Sequence, residues 1–218
     1  QIHHSEDNMT LYFAPLEGVT DAVFRRIHHE CFPGVSKYFI PFISPTQNLA
    51  FTSRDWAAIA PENNIGVPAV PQLLAKDAAL FLWAAQALCD MGYPEVNLNL
   101  GCPSGTVTAK GKGSGLLADV PALERLLDGI FEKPPIPVSI KTRIGYARVE
   151  EWDRLLDVFA RYPIHELIIH PRTRAEFYRG TPHADAFAKA YGTLGMPLCY
   201  NGDLFSEADC LELTRHFP

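Results

Sequence analysis

No CxxC pair occurs in this 218-residue chain, and its five cysteines are widely spaced and odd in number. Structural zinc sites and disulfide scaffolds both depend on cysteines paired at short spacing, so the sequence argues against either. No apolar run approaches the length that crosses a bilayer, and the start of the chain carries no signal-peptide pattern. These absences predict a cytoplasmic protein with reduced thiols, no metal site and no membrane contact.

Positive charge is also scarce, because 19 Lys and Arg residues face 25 Asp and Glu residues, for a net charge of −6. This balance argues against a protein that coats nucleic acid over its whole surface, although it is compatible with a local basic patch. A chain of this length with 47% hydrophobic residues can bury one substantial core, so we expect one domain. We interpret residues 9–218 as that domain, and the polar residues 1–8 as a flexible terminus or a cloning remnant before Met9.

Short β-rich segments recur at intervals of about thirty residues and alternate with helical patterns, which is typical of βα units. The predicted strands cover residues 11–15, 38–43, 67–74, 95–100, 137–144, 166–170 and 197–202. After the fourth strand, apolar residues at i, i+3, i+4 and i+7 predict one face of a helix: Leu123, Leu126, Leu127 and Ile130. A long polar loop is predicted between the second strand and Ser53, and a glycine-rich loop over residues 106–115.

Most predicted strands end in a polar or reactive residue: Pro15, Gln72, Asn99, Lys141, His170 and Asn201. In a (β/α)8 TIM barrel these residues would converge at the carboxyl face of the strands, where active sites of this fold lie. An open doubly wound sheet would place a glycine-rich nucleotide turn after the first strand, and the sequence there is not of that kind. We therefore predict an α/β chain with a TIM-barrel fold. Nothing after Ser206 resembles an eighth strand, so the barrel is expected to be truncated before that strand.

Cys102 stands at the end of the fourth predicted strand, where the chain passes into a loop. Gly101 turns the backbone before it, and Pro103 prevents the strand from continuing. A thiol at the carboxyl end of a barrel strand is placed for chemistry. The alternative is a half-buried cysteine that packs beside a turn.

Taken in order, these segments resemble the tRNA-dihydrouridine synthase family of flavin enzymes. The resemblance runs from Tyr12 to Asp203 and rests on the motifs APLEGVTD (14–21), QLL (72–74), NLGCPS (99–104), GKGSGLL (111–117), KTRIG (141–145), HPRT (170–173) and NGD (201–203). Each motif alone is weakly specific. Their order at the ends of successive strands is highly specific.

The resemblance implies an FMN-dependent oxidoreductase that reduces the C5–C6 bond of uridines in tRNA, with NADPH as reductant. It implies that reduced FMN supplies the hydride and that Cys102 is the general acid that supplies the proton. By the same resemblance, the flavin would contact Pro15, Leu16, Glu17, Gln72, Lys141, His170, Asn201, Gly202 and Asp203.

A uridine inside folded tRNA has to leave its stack before it can reach such a site. Cations would then contact phosphates, and an aromatic ring could stack on a base. The predicted substrate contacts are Asn99, Lys110, Lys112, Arg143, Arg172, Arg174, Tyr178 and Arg179. These residues would form a basic patch on an otherwise acidic protein.

Several of these residues also have simpler interpretations. Lys141 could be an ordinary charge at a strand end, and His170 could be a structural histidine. Gln72 could brace a loop, and Asn99 could accept a hydrogen bond from its own turn. Tyr178 could belong to the core. The glycine-lysine loop over residues 110–115 could be merely flexible and solvated, or it could cover the substrate base and bring cations to RNA phosphates.

Three features depart from the pattern of the family. Its glycine-rich phosphate-binding turn near the eighth strand and its C-terminal helical domain, which helps to hold tRNA, have no counterpart in this sequence. The flavin phosphate site is therefore predicted to be incomplete. Pro171 follows His170 where the family often has glycine or alanine, which would stiffen this loop.

Two other functions remain open. One is a dihydropyrimidine or dihydroorotate dehydrogenase, which is also an FMN barrel with a loop cysteine but acts on a free pyrimidine. The other is an RNA-binding barrel without a cofactor. The cations around Arg172 favour RNA over a small anion as the ligand. No protein partner is implied, so a monomer is expected.

Overall fold

Parallel strands form the centre of the computed structural model, which describes residues 9–217. The interpretation of residues 1–8 therefore falls outside the described residues. The strands are β1 (Leu11–Phe13), β2 (Val35–Ile43), β3 (Ala69–Leu73), β4 (Val96–Leu100), β5 (Val138–Arg143), β6 (Leu167–His170) and β7 (Leu198–Tyr200). Their order in the sheet is their order in the chain, and every neighbouring pair is parallel. Each connection must therefore return the chain to the same end of the sheet, as in a βα barrel.

Helices make these connections: α1 (Ala22–Cys31), α2 (Ser53–Ile59), α3 (Ala78–Asp90), α4 (Gly105–Thr108), α5 (Val120–Glu132), α6 (Glu151–Phe159), α7 (Ala184–Thr193) and α8 (Glu207–His216). Short 3-10 turns occupy Pro61–Asn63 and Gly113–Ala118. The start of α1 is fixed by Asp21, whose Oδ1 accepts a hydrogen bond from the backbone N of Phe24 at 2.8 Å. None of the helices within residues 9–217 combines the length and apolar character that spanning a bilayer requires.

Contacts between distant strands show that the sheet curls on itself. The Tyr12 hydroxyl on β1 donates to Glu166, directly before β6, at 2.9 Å. Inside the curl, Phe39, Val70 and Ile168 form an apolar cluster against which Tyr12 packs. This curled sheet of seven parallel strands confirms the predicted α/β barrel class. Within residues 9–217, β1 and β7 do not pair with each other, so the curl has an open edge.

Alternation along β4 separates the core from the site. Val96, Leu98 and Leu100 belong to the large apolar core between the sheet and the helices. Asn97 and Asn99 alternate with them and face the interior of the curl, where they hydrogen-bond to side chains of neighbouring strands. The strand therefore stabilises the fold through one face and presents amides through the other.

Two helices have no counterpart in the sequence interpretation. The helix α2 has only 7 residues, and its start depends on a capping box in which Thr52 and Asp55 exchange hydrogen bonds. The buried face of α7 consists of Ala186, Phe187 and Ala190, which gives only a weak apolar periodicity. The predicted loop over residues 106–115 contains α4 and the start of the second 3-10 turn.

Candidate active site

The carboxyl ends of the strands surround a pocket of about 800 Å³, a volume typical of small-molecule sites. All nine residues predicted to contact a cofactor line this pocket. Asn99, Cys102, Arg143 and Tyr178 line it as well. The structure therefore brings together residues that lie on separate strands in the sequence, while their individual roles stay predictions.

A second cavity, of about 880 Å³, lies at the open edge between β1 and β7. Aromatic and aliphatic side chains of α7 and α8 form much of its lining. It shares Lys141 with the first pocket, but Cys102 does not line it. Because Cys102 lines the first pocket and not the second, the first pocket is the candidate active site.

Asn99 fixes the turn that carries Cys102. Its Oδ1 accepts hydrogen bonds from the backbone N of Gly101 at 3.0 Å and from the backbone N of Cys102 at 2.9 Å. An asparagine that accepts from amides just after its own position holds a local turn. Of the two interpretations of Asn99, the geometry supports the brace of its own turn.

Ser114 and Gly113 hold the other side of the cysteine. Ser114 donates to the Cys102 carbonyl from its Oγ at 2.7 Å and from its backbone N at 3.2 Å. Gly113 has a φ of +55°, and a Cβ there would lie 3.2 Å from the Cys102 Cβ. The loop of residues 106–115, the clamp loop, therefore holds the backbone of Cys102 and is not a merely solvated segment. Both residues belong to the GKGSGLL motif, but the sequence did not indicate their contact with Cys102.

Arg143 ties this turn to the loop of residues 171–183. Its Nε donates to the Gly101 carbonyl at 2.9 Å, and its Nη1 donates to the carbonyls of Thr173 at 3.1 Å and Phe177 at 2.6 Å. The residue is 1% exposed. The predicted contact of Arg143 with RNA phosphates conflicts with this burial, because its Nε and Nη1 already donate to carbonyl groups inside the protein.

A chain of amide hydrogen bonds crosses the base of the pocket. The Nδ2 of Asn99 donates to Gln72, the Nε2 of Gln72 donates to Asn97, and the Nδ2 of Asn97 donates to Ser139, each at 2.8 Å. These side chains belong to β3, β4 and β5 and are all buried. A fully satisfied buried network of this kind rigidifies its surroundings. Gln72 therefore braces the site from within the wall of the pocket.

Lys141 brings a cation into the pocket from β5, directly opposite Asn99 in the strand register. Among residues 9–217, no carboxylate forms an ion pair with its ammonium group. Burial, and then the charge of Arg143, lower the pKa of Lys141 to about 8. A partly buried ammonium without a carboxylate partner is a group that an electron-rich or anionic ligand would stabilise.

His170 ends β6 beside three cations. Burial lowers its pKa to about 3, and the charges of Arg143, Lys141 and Arg172 contribute in the same direction. Its imidazole is therefore neutral at physiological pH, and with Nε2 accepting from Arg172 it can offer an Nδ1–H donor to a ligand. Its Nε2 lies 3.3 Å from the Nη1 of Arg172.

Replacing His170 with asparagine is expected to weaken the acid destabilisation of the protein. As the pH falls through 6.5, the unfolded chain gains a proton on this histidine that the folded protein does not bind. Stability is therefore lost on acidification, by about 2 kcal/mol at pH 5 relative to pH 8. Urea unfolding of wild type and His170→Asn at both pH values measures this difference. The exposed His216 provides a control as His216→Asn, and an unchanged pH dependence in His170→Asn would contradict the assignment.

Comparison with known proteins adds independent information. The dihydrouridine synthase family model matches residues 12–217, which is nearly all of the described chain. The chain belongs to the dihydrouridine synthase family. This confirms the family that the motif order suggested.

Relatives in this family are similar over most of the chain. A probable tRNA-dihydrouridine synthase 1 of Synechocystis is 35% identical over 210 residues, which covers 92% of this chain and 57% of the relative. The tRNA-dihydrouridine synthase B of Pseudomonas syringae is 30% identical over 215 residues, which covers 94% of this chain and 59% of the relative. A probable tRNA-dihydrouridine synthase of Staphylococcus epidermidis is 31% identical and is covered to 64%. The chain thus spans less than two thirds of the length of these relatives.

In this member of the dihydrouridine synthase family, Arg172 is a second internal tether. Its Nη1 and Nη2 donate to the two carboxylate oxygens of Asp203 at 2.7 and 2.6 Å, and it also donates to the carbonyls of Arg179 and Gly180. Arg172 is 1% exposed. Its predicted RNA contact therefore conflicts with the structure. The ion pair also engages the carboxylate of Asp203, which was predicted to contact the cofactor.

Tyr178 stands at the mouth of the pocket. It is 69% exposed, so the alternative of a core tyrosine is wrong. Its ring lies 5.9 Å from that of His170, and the Arg143 guanidinium is 5.2 Å from its centre. Phe177, directly before it, has a φ of +56°, so the backbone that presents Tyr178 is held in a disfavoured region.

The first βα turn forms the opposite wall of the pocket. Leu16 is exposed, and Thr20 closes the turn by accepting from the Leu16 backbone N at 2.9 Å. The carboxylate of Glu17 accepts from Arg54 at 2.9 Å near the surface. After β7, a Cβ at Gly202 would lie 2.6 Å from the Tyr200 hydroxyl, so a larger residue there would require the Tyr200 ring to move. The remaining predicted cations, Lys110, Lys112, Arg174 and Arg179, lie outside the pocket lining.

Proposed function

We propose that this chain carries the catalytic site of a tRNA-dihydrouridine synthase, which reduces the C5–C6 bond of uridines in tRNA with FMN as cofactor and NADPH as reductant. The observation that carries the proposal is the clamped turn of Cys102, which faces a pocket shared with Lys141 and His170. A proton donor and a cation thus lie around one cavity, as reduction of a conjugated carbonyl compound requires.

The residues of the pocket fit a flavin. The volume of about 800 Å³ is adequate for a cofactor together with a base, and the unpaired ammonium of Lys141 suits the electron-rich pyrimidine edge of a reduced isoalloxazine. The neutral imidazole of His170 and the loop of Asn201 and Gly202 offer donors and acceptors for the ribityl chain. When bound, FMN supplies the hydride.

Cys102 would deliver the proton to the other end of the double bond. Asn99 and Ser114 hold the backbone N and carbonyl of this residue, so the backbone position from which the thiol extends is fixed. A positioned general acid of this kind typically contributes about 10²–10⁴-fold in rate. The uridine would lie in the pocket that Cys102 and Lys141 line together.

The exposed mouth favours RNA over a free pyrimidine as substrate. Tyr178 presents its ring to solvent at the rim, where it could stack on a base of a polynucleotide. A free base would fit inside the pocket and would not reach this ring. The substrate is therefore proposed to enter as a flipped nucleotide that remains attached to its strand.

A flavin-binding and turnover experiment tests the proposal. The purified chain is incubated with FMN, and its visible spectrum is recorded after gel filtration. NADPH and unmodified tRNA are then added, and mass spectrometry follows the gain of two hydrogens in uridine. We expect bound flavin and dihydrouridine in tRNA, with no reduction of free uracil. Reduction of free uracil alone would support a pyrimidine dehydrogenase, and tRNA binding without flavin uptake would support a cofactor-free RNA-binding barrel.

A further inference from the structure

Three lysines converge on one side of the pocket mouth. Lys76 follows β3, while Lys110 and Lys112 lie in the clamp loop that follows β4. The Lys76 side chain passes over this loop, since a Cβ at Gly111 would lie 4.0 Å from its Cδ. Burial lowers the pKa of Lys112, and the charges of Lys110 and Lys76 lower it further. These ammonium groups are therefore near enough to repel one another.

No carboxylate within residues 9–217 forms an ion pair with any of the three lysines. Lys112 instead donates to the Ser44 Oγ at the end of β2, at 2.6 Å. Asp77 and Asp119 line a small cavity together with Lys76, but neither forms an ion pair with it, so a bound anion would stabilise the clustered lysines. The feature that sequence reasoning missed is Lys76, because it lies 34 residues before Lys110 in the chain.

Arg174 extends the line of cations toward β6. Its guanidinium lies over the rings of Tyr146, at 5.3 Å, and Phe177, at 4.9 Å. Its Nη2 reaches the Thr108 hydroxyl of the clamp loop at 3.5 Å, and its buried Nε has no hydrogen-bond partner. Two aromatic rings thus orient this guanidinium, and no carboxylate among the described residues pairs with it. A guanidinium that is oriented and unpaired in this way is suited to contact an anion.

The opposite side of the mouth is different. There, Arg54 is paired with Glu17 and Arg172 is paired with Asp203, so the cations are already neutralised. Outside the pocket lining, the cations without a carboxylate partner among residues 9–217 therefore include Lys76 after β3, Lys110 and Lys112 after β4, and Arg174 after β6. A polyanion is therefore expected to contact the pocket mouth on the side of these unpaired cations.

We infer that the RNA strand that carries the target uridine runs its phosphates along the track formed by Lys76, Lys112, Lys110 and Arg174. The inference rests on the proposed function for the identity of the polyanion as tRNA. It goes further by assigning the phosphate path to one side of the mouth and by excluding Arg143 and Arg172 from it. Each phosphate contact is expected to contribute about 0.7–0.9 to the slope of log K against log[salt].

Salt-dependent binding of an unmodified tRNA transcript tests the track. The dissociation constants of wild type, Lys76→Gln and Arg174→Gln are measured at several NaCl concentrations. Each variant is expected to flatten the slope by about 0.7–0.9 and to bind several-fold more weakly at low salt. Arg154→Gln is the matched control, because Arg154 is exposed on α6 away from the mouth, and it should leave the slope unchanged.

The outcomes separate this inference from the proposed function. Slopes of Lys76→Gln and Arg174→Gln equal to that of Arg154→Gln would overturn the track, as would a wild-type affinity that is flat in salt. Arg174→Lys is expected to keep the slope, since it keeps the charge. Uridine reduction is assayed separately: a flattened slope without any dihydrouridine would support the track and contradict the proposed reaction.

Discussion

Cys102→Ala is expected to lower the rate of uridine reduction by about 10²–10⁴-fold, which is the usual contribution of a positioned general acid. Because the backbone of this turn is held by Asn99 and Ser114, removing the thiol should leave the turn in place. Flavin uptake and tRNA affinity are therefore expected to stay near their wild-type values. Single-turnover formation of dihydrouridine, with the flavin reduced beforehand, measures the chemical step directly.

The matched control is Cys199→Ala. The Cys199 thiol is also near Lys141, but it faces the cavity at the open edge, and burial raises its pKa to about 12. Its removal should change the rate of reduction little. If Cys102→Ala turned over unmodified tRNA as fast as Cys199→Ala, the thiol of residue 102 would not be the proton donor.

Arg143→Lys is expected to lower kcat by about 10²-fold, even though the charge is retained. Lysine cannot reproduce the planar fork that reaches the carbonyls of Gly101, Thr173 and Phe177 together. The Cys102 turn would then shift against the substrate, and a displacement of about 1 Å can cost 10²-fold in rate. The effect should appear in kcat, while KM for tRNA changes little.

Salt dependence distinguishes this positioning role from direct RNA binding. If Arg143 acts only inside the protein, the slope of tRNA affinity against salt is the same for Arg143→Lys and wild type. Arg161→Lys, on the outer surface, controls for a general effect of the exchange. Normal kcat in Arg143→Lys, with the loss confined to KM, would contradict the positioning role.

The sequence predicted the structure well where the pattern within a single strand determines which side chains are buried and where the strand ends. Alternation in residues 95–100 separates amides from core leucines, and the glycine and proline around Cys102 end the strand where the structure ends it. Since parallel strands share one carboxyl end, the convergence of Gln72, Lys141 and His170 followed from the fold class alone. The family resemblance added roles that no local pattern contains.

The sequence did not predict the burial of side chains whose partners lie far away in the chain. Arg143 and Arg172 read as surface cations, but carbonyls of the loop 171–183 and the carboxylate of Asp203 bury them. Nothing near either arginine in the chain indicates these partners. The same limit hid Lys76, whose neighbours in space come from the next βα unit. Short helices such as α2 were missed because their stability depends on a cap and on packing more than on periodicity.

Both buried arginines grip the same stretch of chain, residues 171–183, at four of its carbonyl groups. A segment held by this many hydrogen bonds is expected to stay in place. Entry of a nucleotide into the pocket then cannot depend on movement of this segment. For the proposed reaction, the work of exposing the uracil then falls on the nucleic acid. Uridines in loosely stacked bends of a transcript would be modified before those held in regular helices.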